Sequence, residues 1–310
     1  MSRHTHTHTH THTHTHTQRR LSNHNNIGFI KRFKKAIKQC ISILYKSLKE
    51  EVHYEVQLYD TYNDAKEKCK TENAYKNFEL CSMIGDKTEN YKKYLYNKPW
   101  ALTGTNVFLV SAIHNLILEQ SIFIVKVIDF GGACGAHYFE IRRFFPETIK
   151  FKWYVVETPE MVKSAKNHGF ENEELLFVDN IENIESKIDF IHSSGTLQSV
   201  SDYKYYLLQL MKFNAEYMLF NRMMFNENDY DFITIQTSRM SANGPGPMPE
   251  KYEDKDIFYP HTTIAFNNFL AIVQNKYKME WTFEEKSGSY QINNEKIIGK
   301  GLLFKLISTN

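Results

Sequence analysis

The chain has 310 residues, a formal net charge of +2 and 42% hydrophobic residues, enough for a sizeable core and too near neutrality for a global drive toward nucleic acid. Its four cysteines, Cys40, Cys69, Cys81 and Cys134, form neither a C-x-x-C pair nor a disulfide framework and read as reduced thiols of a cytoplasmic protein. No apolar run approaches the roughly 20 residues that span a bilayer, and the polar N-terminus lacks the apolar segment of a secretory signal.

His4 to Thr17 alternate His and Thr. Such a tract neither builds a core nor holds a register, so residues 1–24 are expected to form a disordered tail whose metal binding would be adventitious. Two origins stand open. A CA dinucleotide repeat, read as CAC and ACA codons, would encode it and make expression phase-variable; an engineered tag is the other. Between Ile27 and Leu48 apolar residues recur at helical spacing, with Lys31, Arg32, Lys34, Lys35 and Lys38 on the other face. This basic amphipathic stretch either packs on the rest of the chain or makes peripheral contact with an anionic membrane surface.

Helices are expected near Tyr62–Lys70, Tyr75–Ile84 and Asn90–Tyr96, and an apolar one over Asn106–Gln120, with His114 as a core histidine. Residues 25–120 therefore read as a helical cap or lid, and 121–310 as the main domain. Ile122–Ile128 is a buried strand ending at Asp129, followed by the glycine turn Gly131-Gly132-Ala133-Cys134-Gly135 and a helix. Glycines let a ligand approach the backbone, and a helix start offers free N–H donors.

Strands and helices then alternate: Phe151–Val156 ending at Glu157, a helix capped by Thr158-Pro159, Leu175–Val178 ending at Asp179, Ile188–Ser193 opening into Ser194-Gly195, a helix from Tyr203 to Phe213, and Glu216–Phe220 ending at Asn221-Arg222. This spacing predicts an α/β fold, a mostly parallel sheet with helices on both faces. Asp231–Thr237 reads as a half-exposed strand, Ser241–Pro249 as a loop, Ile264–Tyr277 as a helix, and Lys278–Glu284 with Gly301–Ile307 as a closing strand pair.

The turn lacks the dinucleotide G-x-G-x-x-G, since those positions hold Gly131, Ala133 and Ala136. Asp129-x-Gly131-x-Ala133-x-Gly135 instead resembles the first motif of class I S-adenosylmethionine-dependent methyltransferases, with Ala133 as the departure. Asp129 suits the cofactor's ammonium group and the donors of the loop. Glu157, 22 residues beyond Gly135, suits both ribose hydroxyls, and Asp179 suits the adenine amine. From about Tyr59 onward the chain resembles a family of bacterial class I methyltransferases associated with surface-polysaccharide gene clusters. The carrying segments are residues 127–139, 193–200, 220–222 and 232–236. The resemblance implies a Rossmann-like sheet with an antiparallel final strand and S-adenosyl-L-methionine as cofactor, with Gly132 and Ser194 added to its contacts.

The expected acceptor is a small molecule or glycan hydroxyl. No N-P-P-Y follows the fourth strand, which weighs against methylation of nucleic acid bases, and no nucleic-acid partner is expected. No tight cluster of His and carboxylates marks a metal site. Gln198, Arg222 and His261 are the candidates for acceptor chemistry, each with a plainer alternative: a surface glutamine, an ion-paired arginine, and a histidine capping a helix start. His137 reads as a residue that packs or contacts solvent, and His192 as a core residue. The alternative function is a non-catalytic nucleoside-binding or membrane-surface scaffold protein, and the oligomeric state stays open.

Overall fold

The computed structural model describes residues 56–69, 74–97, 102, 104–285 and 290–307, all within one compact unit, His53–Asn310. The His-Thr tract, the basic stretch 27–48 and Cys40 lie outside the described residues. In chain order the helices are α1 (Tyr62–Lys68), α2 (Phe78–Asn97), α3 (Gly104–Gln120), α4 (Ala136–Arg142), α5 (Pro159–Asn167), α6 (Tyr203–Met211) and α7 (Phe266–Val273). The strands are β1 (Ile124–Phe130), β2 (Lys150–Val156), β3 (Leu175–Val178), β4 (Phe190–Ser194), β5 (Tyr217–Asn226), β6 (Phe232–Arg239), β7 (Asp256–Ala265), β8 (Tyr277–Glu284), β9 (Tyr290–Ile292) and β10 (Glu295–Leu306).

The main sheet runs β3-β2-β1-β4-β5-β10-β8. Strands β1 to β5 are parallel, and β10 enters antiparallel between β5 and β8. This is the α/β sheet that the alternation of strands and helices predicted, with the antiparallel final strand that the resemblance implied. Side-chain alternation sends Val125, Val127, Trp153, Phe190 and Leu219 into a core shared with α2 to α5. Ile128, Val156, Ile191 and Phe220 go to the opposite core, with α6 and α7. The same alternation decides the site, because Asp129, His192 and Asn221 fall on the α2–α5 face at the carboxyl ends of their strands.

Several sequence expectations change in detail. Two short helices become the single α2, which runs through Gly85. A side chain there would overlap the His168 ring, so glycine lets α5 approach and Ser164 Oγ donate to the Cys81 carbonyl at 2.8 Å. That contact offsets the roughly 1 kcal/mol that an interior helical glycine costs. Strand β1 runs on to Phe130, so Asp129 is its penultimate residue rather than its end. Strand β5 does not stop at Asn221-Arg222 but continues to Asn226 through a register shift opposite Lys300 and Leu302. The segment read as leading into a helix is β7, and only Phe266–Val273 is helical. Pro260 pairs with Ile235 of β6 in a ribbon whose other side meets β5 only at Ile264 and Ala265, an edge setting that tolerates proline. His261 therefore lies mid-strand and not at a helix start. Among the described residues no helix is long and apolar enough to cross a membrane.

Candidate functional site

The glycine turn between β1 and α4 is held at both ends. Gly131 N–H donates to the Val156 carbonyl at 2.9 Å, and Gly135 N–H to the Gly132 carbonyl at 3.0 Å. Gly131 sits at φ +77°, and a Cβ there would overlap the Thr196 side chain; one on Gly132 would overlap the Asp129 carboxylate. Ala133, the departure from the motif, is itself left-handed at φ +50°. Its N–H donates to Glu157 Oε1 at 3.0 Å, while Thr158 N–H donates to Oε2 at 3.0 Å. Burial raises the Glu157 carboxyl above the usual carboxylate range. Thr158 caps α5 as its sequence predicts, accepting from Met161 N–H at 3.4 Å. Ser194 is half-buried at the tip of β4, and Asp179 is exposed at the tip of β3.

Asp129 departs from its expected role. It is fully buried, and His137 Nδ1 lies 3.0 Å from its Oδ2, His192 Nδ1 2.9 Å from its Oδ1, and Trp153 Nε1 3.3 Å from Oδ2. The carboxylate is thus committed to side chains of the protein rather than open to an ammonium group. Burial alone would raise its pKa, but the two imidazoles outweigh burial and hold it ionised, well below the usual range. An ionised carboxylate only accepts, so both Nδ1 atoms carry the protons. His192 passes the chain on: Asn221 Nδ2 lies 3.3 Å from its Nε2, and burial lowers its pKa, keeping it neutral. Asn221 Oδ1 is buried without a partner among the described residues. For His137, burial pulls down and Asp129 pulls up more strongly, so its pKa is raised. Donor atoms of Asp129, His137 and His192 lie within 4.8 Å of one another, a cluster not expected from the sequence. Each Nδ1 faces a separate carboxylate oxygen at hydrogen-bond distance.

Of the three residues expected at the acceptor, Gln198 turns out to be a clamp. It is buried, its Nε2 donates to the Arg222 carbonyl at 2.9 Å and the Gly195 carbonyl at 3.3 Å, and its Oε1 accepts from Met224 N–H. It thereby holds the β5 irregularity, where Arg222 is left-handed at φ +55°, a conformation costing about 1–2 kcal/mol in a non-glycine residue. Arg222 N–H donates to Glu285 Oε1 at 2.8 Å, and its exposed guanidinium makes no hydrogen bond with a described residue. It is close enough to act electrostatically on His137 and Tyr75. His261 is buried in β7, and its ring has no hydrogen-bond partner among the described residues.

The sequence reading missed Tyr75. Its ring lies 5.5 Å from that of Tyr259, its carbonyl accepts from Thr158 Oγ1 at 3.0 Å, and its hydroxyl donates to Asn243 Oδ1 at 3.0 Å. The loop carrying Asn243 is fastened from below, because the buried Lys87 ammonium donates to the Ser241 carbonyl at 2.7 Å and the Asn243 carbonyl at 2.5 Å. The segment around Tyr75 is thereby brought to the same end of the sheet as Glu157 and Arg222.

Neither a family model nor a curated protein matches the chain. Among solved structures it is similar to an S-adenosylmethionine-dependent methyltransferase from Clostridium acetobutylicum, with TM-score 0.43 and 15% identity over 71% of this chain and 99% of that one. It is also similar to an amino pentose methyltransferase from Micromonospora echinaspora, with TM-score 0.43 and 8% identity over 71% and 96% of the two chains. A sugar N-methyltransferase from a Streptoalloteichus species gives TM-score 0.39 and 9% identity over 68% and 91%.

Proposed function

We propose that the chain is an S-adenosyl-L-methionine-dependent methyltransferase acting on a hydroxyl of a sugar or surface-polysaccharide precursor. The observation that carries the reading is the join between Glu157 and the glycine turn. The carboxylate at the tip of β2 holds the Ala133 N–H, so an acid suited to ribose hydroxyls forms part of the wall of the turn. Both stand outside the carboxyl ends of β1 and β2, beside the point where the strand order reverses between β1 and β4. Open α/β sheets bind ligands there. The bound cofactor supplies an activated methyl group. The protein's task is to hold the acceptor oxygen in line with it and to take up a proton. Arg222, Tyr75 and Tyr259 offer a cation without a hydrogen-bond partner among the described residues and two aromatic rings, a surface suited to a sugar and unlike the concentrated basic groove of nucleic-acid binders.

The same reading has the enzyme working in the cytoplasm, with residues 27–48 as its candidate membrane contact. It gives the His-Thr tract a use as well, since phase variation suits a modifier of surface glycans; mixed His and Thr codons over residues 4–17 would exclude that. Calorimetric titration should show S-adenosylmethionine and S-adenosylhomocysteine binding, and NAD not. With methyl-labelled cofactor, label should enter UDP-N-acetylglucosamine or methyl glycosides in preference to a primary alkylamine or RNA. Labelled amine or RNA with inert sugars would reject the acceptor class, and NAD binding in place of S-adenosylmethionine would reject the cofactor.

A further inference from the structure

We propose that His137, held by Asp129, is the general base that takes the proton from the acceptor. The proposal rests on the methyl-transfer reading above and names the residue that completes it. Four observations converge. His137 stands in the first turn of α4, two residues beyond Gly135, so it borders the glycine turn. Its Nδ1 is tied to a carboxylate with no exposed surface, which fixes the ring and its tautomer. Its Nε2 makes no hydrogen bond to any described residue, and the side chain is 22% exposed. The second imidazole on that carboxylate, His192, has both nitrogens engaged, with Asp129 and Asn221. Among the described residues, His137 Nε2 is therefore the nitrogen of the network left to move a proton.

In the step, a lone pair of the acceptor oxygen forms the bond to the methyl carbon while the carbon–sulfur bond breaks and its electrons stay on sulfur. The acceptor's proton passes to His137 Nε2. Asp129 remains ionised and offsets the imidazolium charge, as the carboxylate of a Ser-His-Asp triad does for its histidine. Asp129 is thus a positioning residue. The groups acting on His137 are Asp129 and Glu140, which favour its protonation, and Arg222, which opposes it; His192 stands edge-on at 4.8 Å between ring centroids. The base must be neutral to act, so turnover should rise with pH through a midpoint above the usual histidine value of about 6.5. His261, which chain position alone singled out, is enclosed in β7 and has no carboxylate behind it among the described residues.

Diethyl pyrocarbonate acylates accessible neutral imidazoles, so peptide mapping of the full-length protein reads the nitrogen directly. His137 should be modified and His192 spared, and saturating S-adenosylhomocysteine should slow modification of His137 at least about fivefold. In Asp129→Asn the pH midpoint of that modification should fall; if this variant does not fold, the protection measured on the wild-type protein still decides. His137→Gln should keep its affinity for S-adenosylmethionine and lose about 10²–10⁴-fold in turnover of a methyl glycoside, the usual range for loss of a general base. An unreactive His137, or one modified equally with and without S-adenosylhomocysteine bound, overturns the proposal. Calorimetry on the same sample separates the two readings. If S-adenosylhomocysteine does not bind, the methyltransferase reading fails; if it binds and His137 is indifferent to it, only the base assignment fails.

Discussion

Gly131→Ala should abolish binding of S-adenosylmethionine and lower stability by roughly 2–5 kcal/mol, the sum of a left-handed alanine and a steric overlap. The residue sits at φ +77°, and its new Cβ would fall on the Thr196 side chain. Thr196 cannot yield freely, because it opens the turn after β4 and its hydroxyl donates back to the Gly131 carbonyl at 3.4 Å. The glycine turn and the tip of β4 must therefore separate, and they are two walls of the proposed cofactor site. Gly169→Ala is the matched control. Its φ is +66° but nothing lies within 4 Å of the added Cβ, so it should show only the backbone cost, about 1 kcal/mol, with affinity unchanged. The opposite change, Ala133→Gly, relieves a left-handed alanine at φ +50° and should stabilise by about 1 kcal/mol. Urea unfolding and calorimetric titration of the three variants read both quantities. Wild-type affinity in Gly131→Ala would remove this turn from the site.

The parts of this protein legible in its sequence are those set by local signals. The apolar run of β1, the glycines after it, the Thr158-Pro159 cap and Glu157 after β2 each declare themselves within a few residues, and all are present, with β1 displaced to Ile124–Phe130. The mostly parallel sheet follows from strands alternating with helices, whereas its order is set by the pairing. The polar network was hidden because its members meet only through register. Asp129 and His192 are 63 residues apart and become neighbours through the pairing of β1 with β4. Alternation carried a partial signal: Phe190 and His192 share the face of Val127 and Asp129, so a polar residue on an otherwise apolar face had to find a partner there. Gln198 was misleading for a different reason. It stands at the strand-tip position where acceptor chemistry is expected, but its amide is fully used on backbone around Arg222, a strain that no sequence pattern announces. The Tyr-Pro-His segment of β7 reads as a helix start because it leads straight into Phe266–Val273, and only the pairing with β6 reveals a ribbon.

Lowering the pH from about 7 to 4 should cost the folded state about 3 kcal/mol through His261 alone, a shift of some 2.5 units at about 1.4 kcal/mol each. Burial within β7, with no counter-charge among the described residues, lowers the His261 imidazole from 6.5 to about 4. A depressed histidine means that the unfolded chain binds a proton the folded chain refuses. Its contribution is therefore complete above pH 6.5 and shrinks as pH falls from there toward 4. His192, also lowered by burial, acts in the same direction. His137 does the reverse: its raised pKa adds stability below 6.5 that is lost as pH climbs through its folded value. Glu157, raised by burial, opposes the loss on the acid side, so the wild-type slope alone is a composite. His261→Leu isolates the one term, because it keeps an apolar side chain of similar bulk in β7 and removes the titration. Urea unfolding of both proteins at pH 7 and pH 4 should show the wild type losing about 3 kcal/mol more than the variant between the two. Equal losses would mean that His261 takes up its proton without strain in the folded protein. A histidine neutral down to about pH 4 is also a weak proton acceptor. The same measurement therefore bears on the proposed chemistry: a large His261 term argues against His261 as the base.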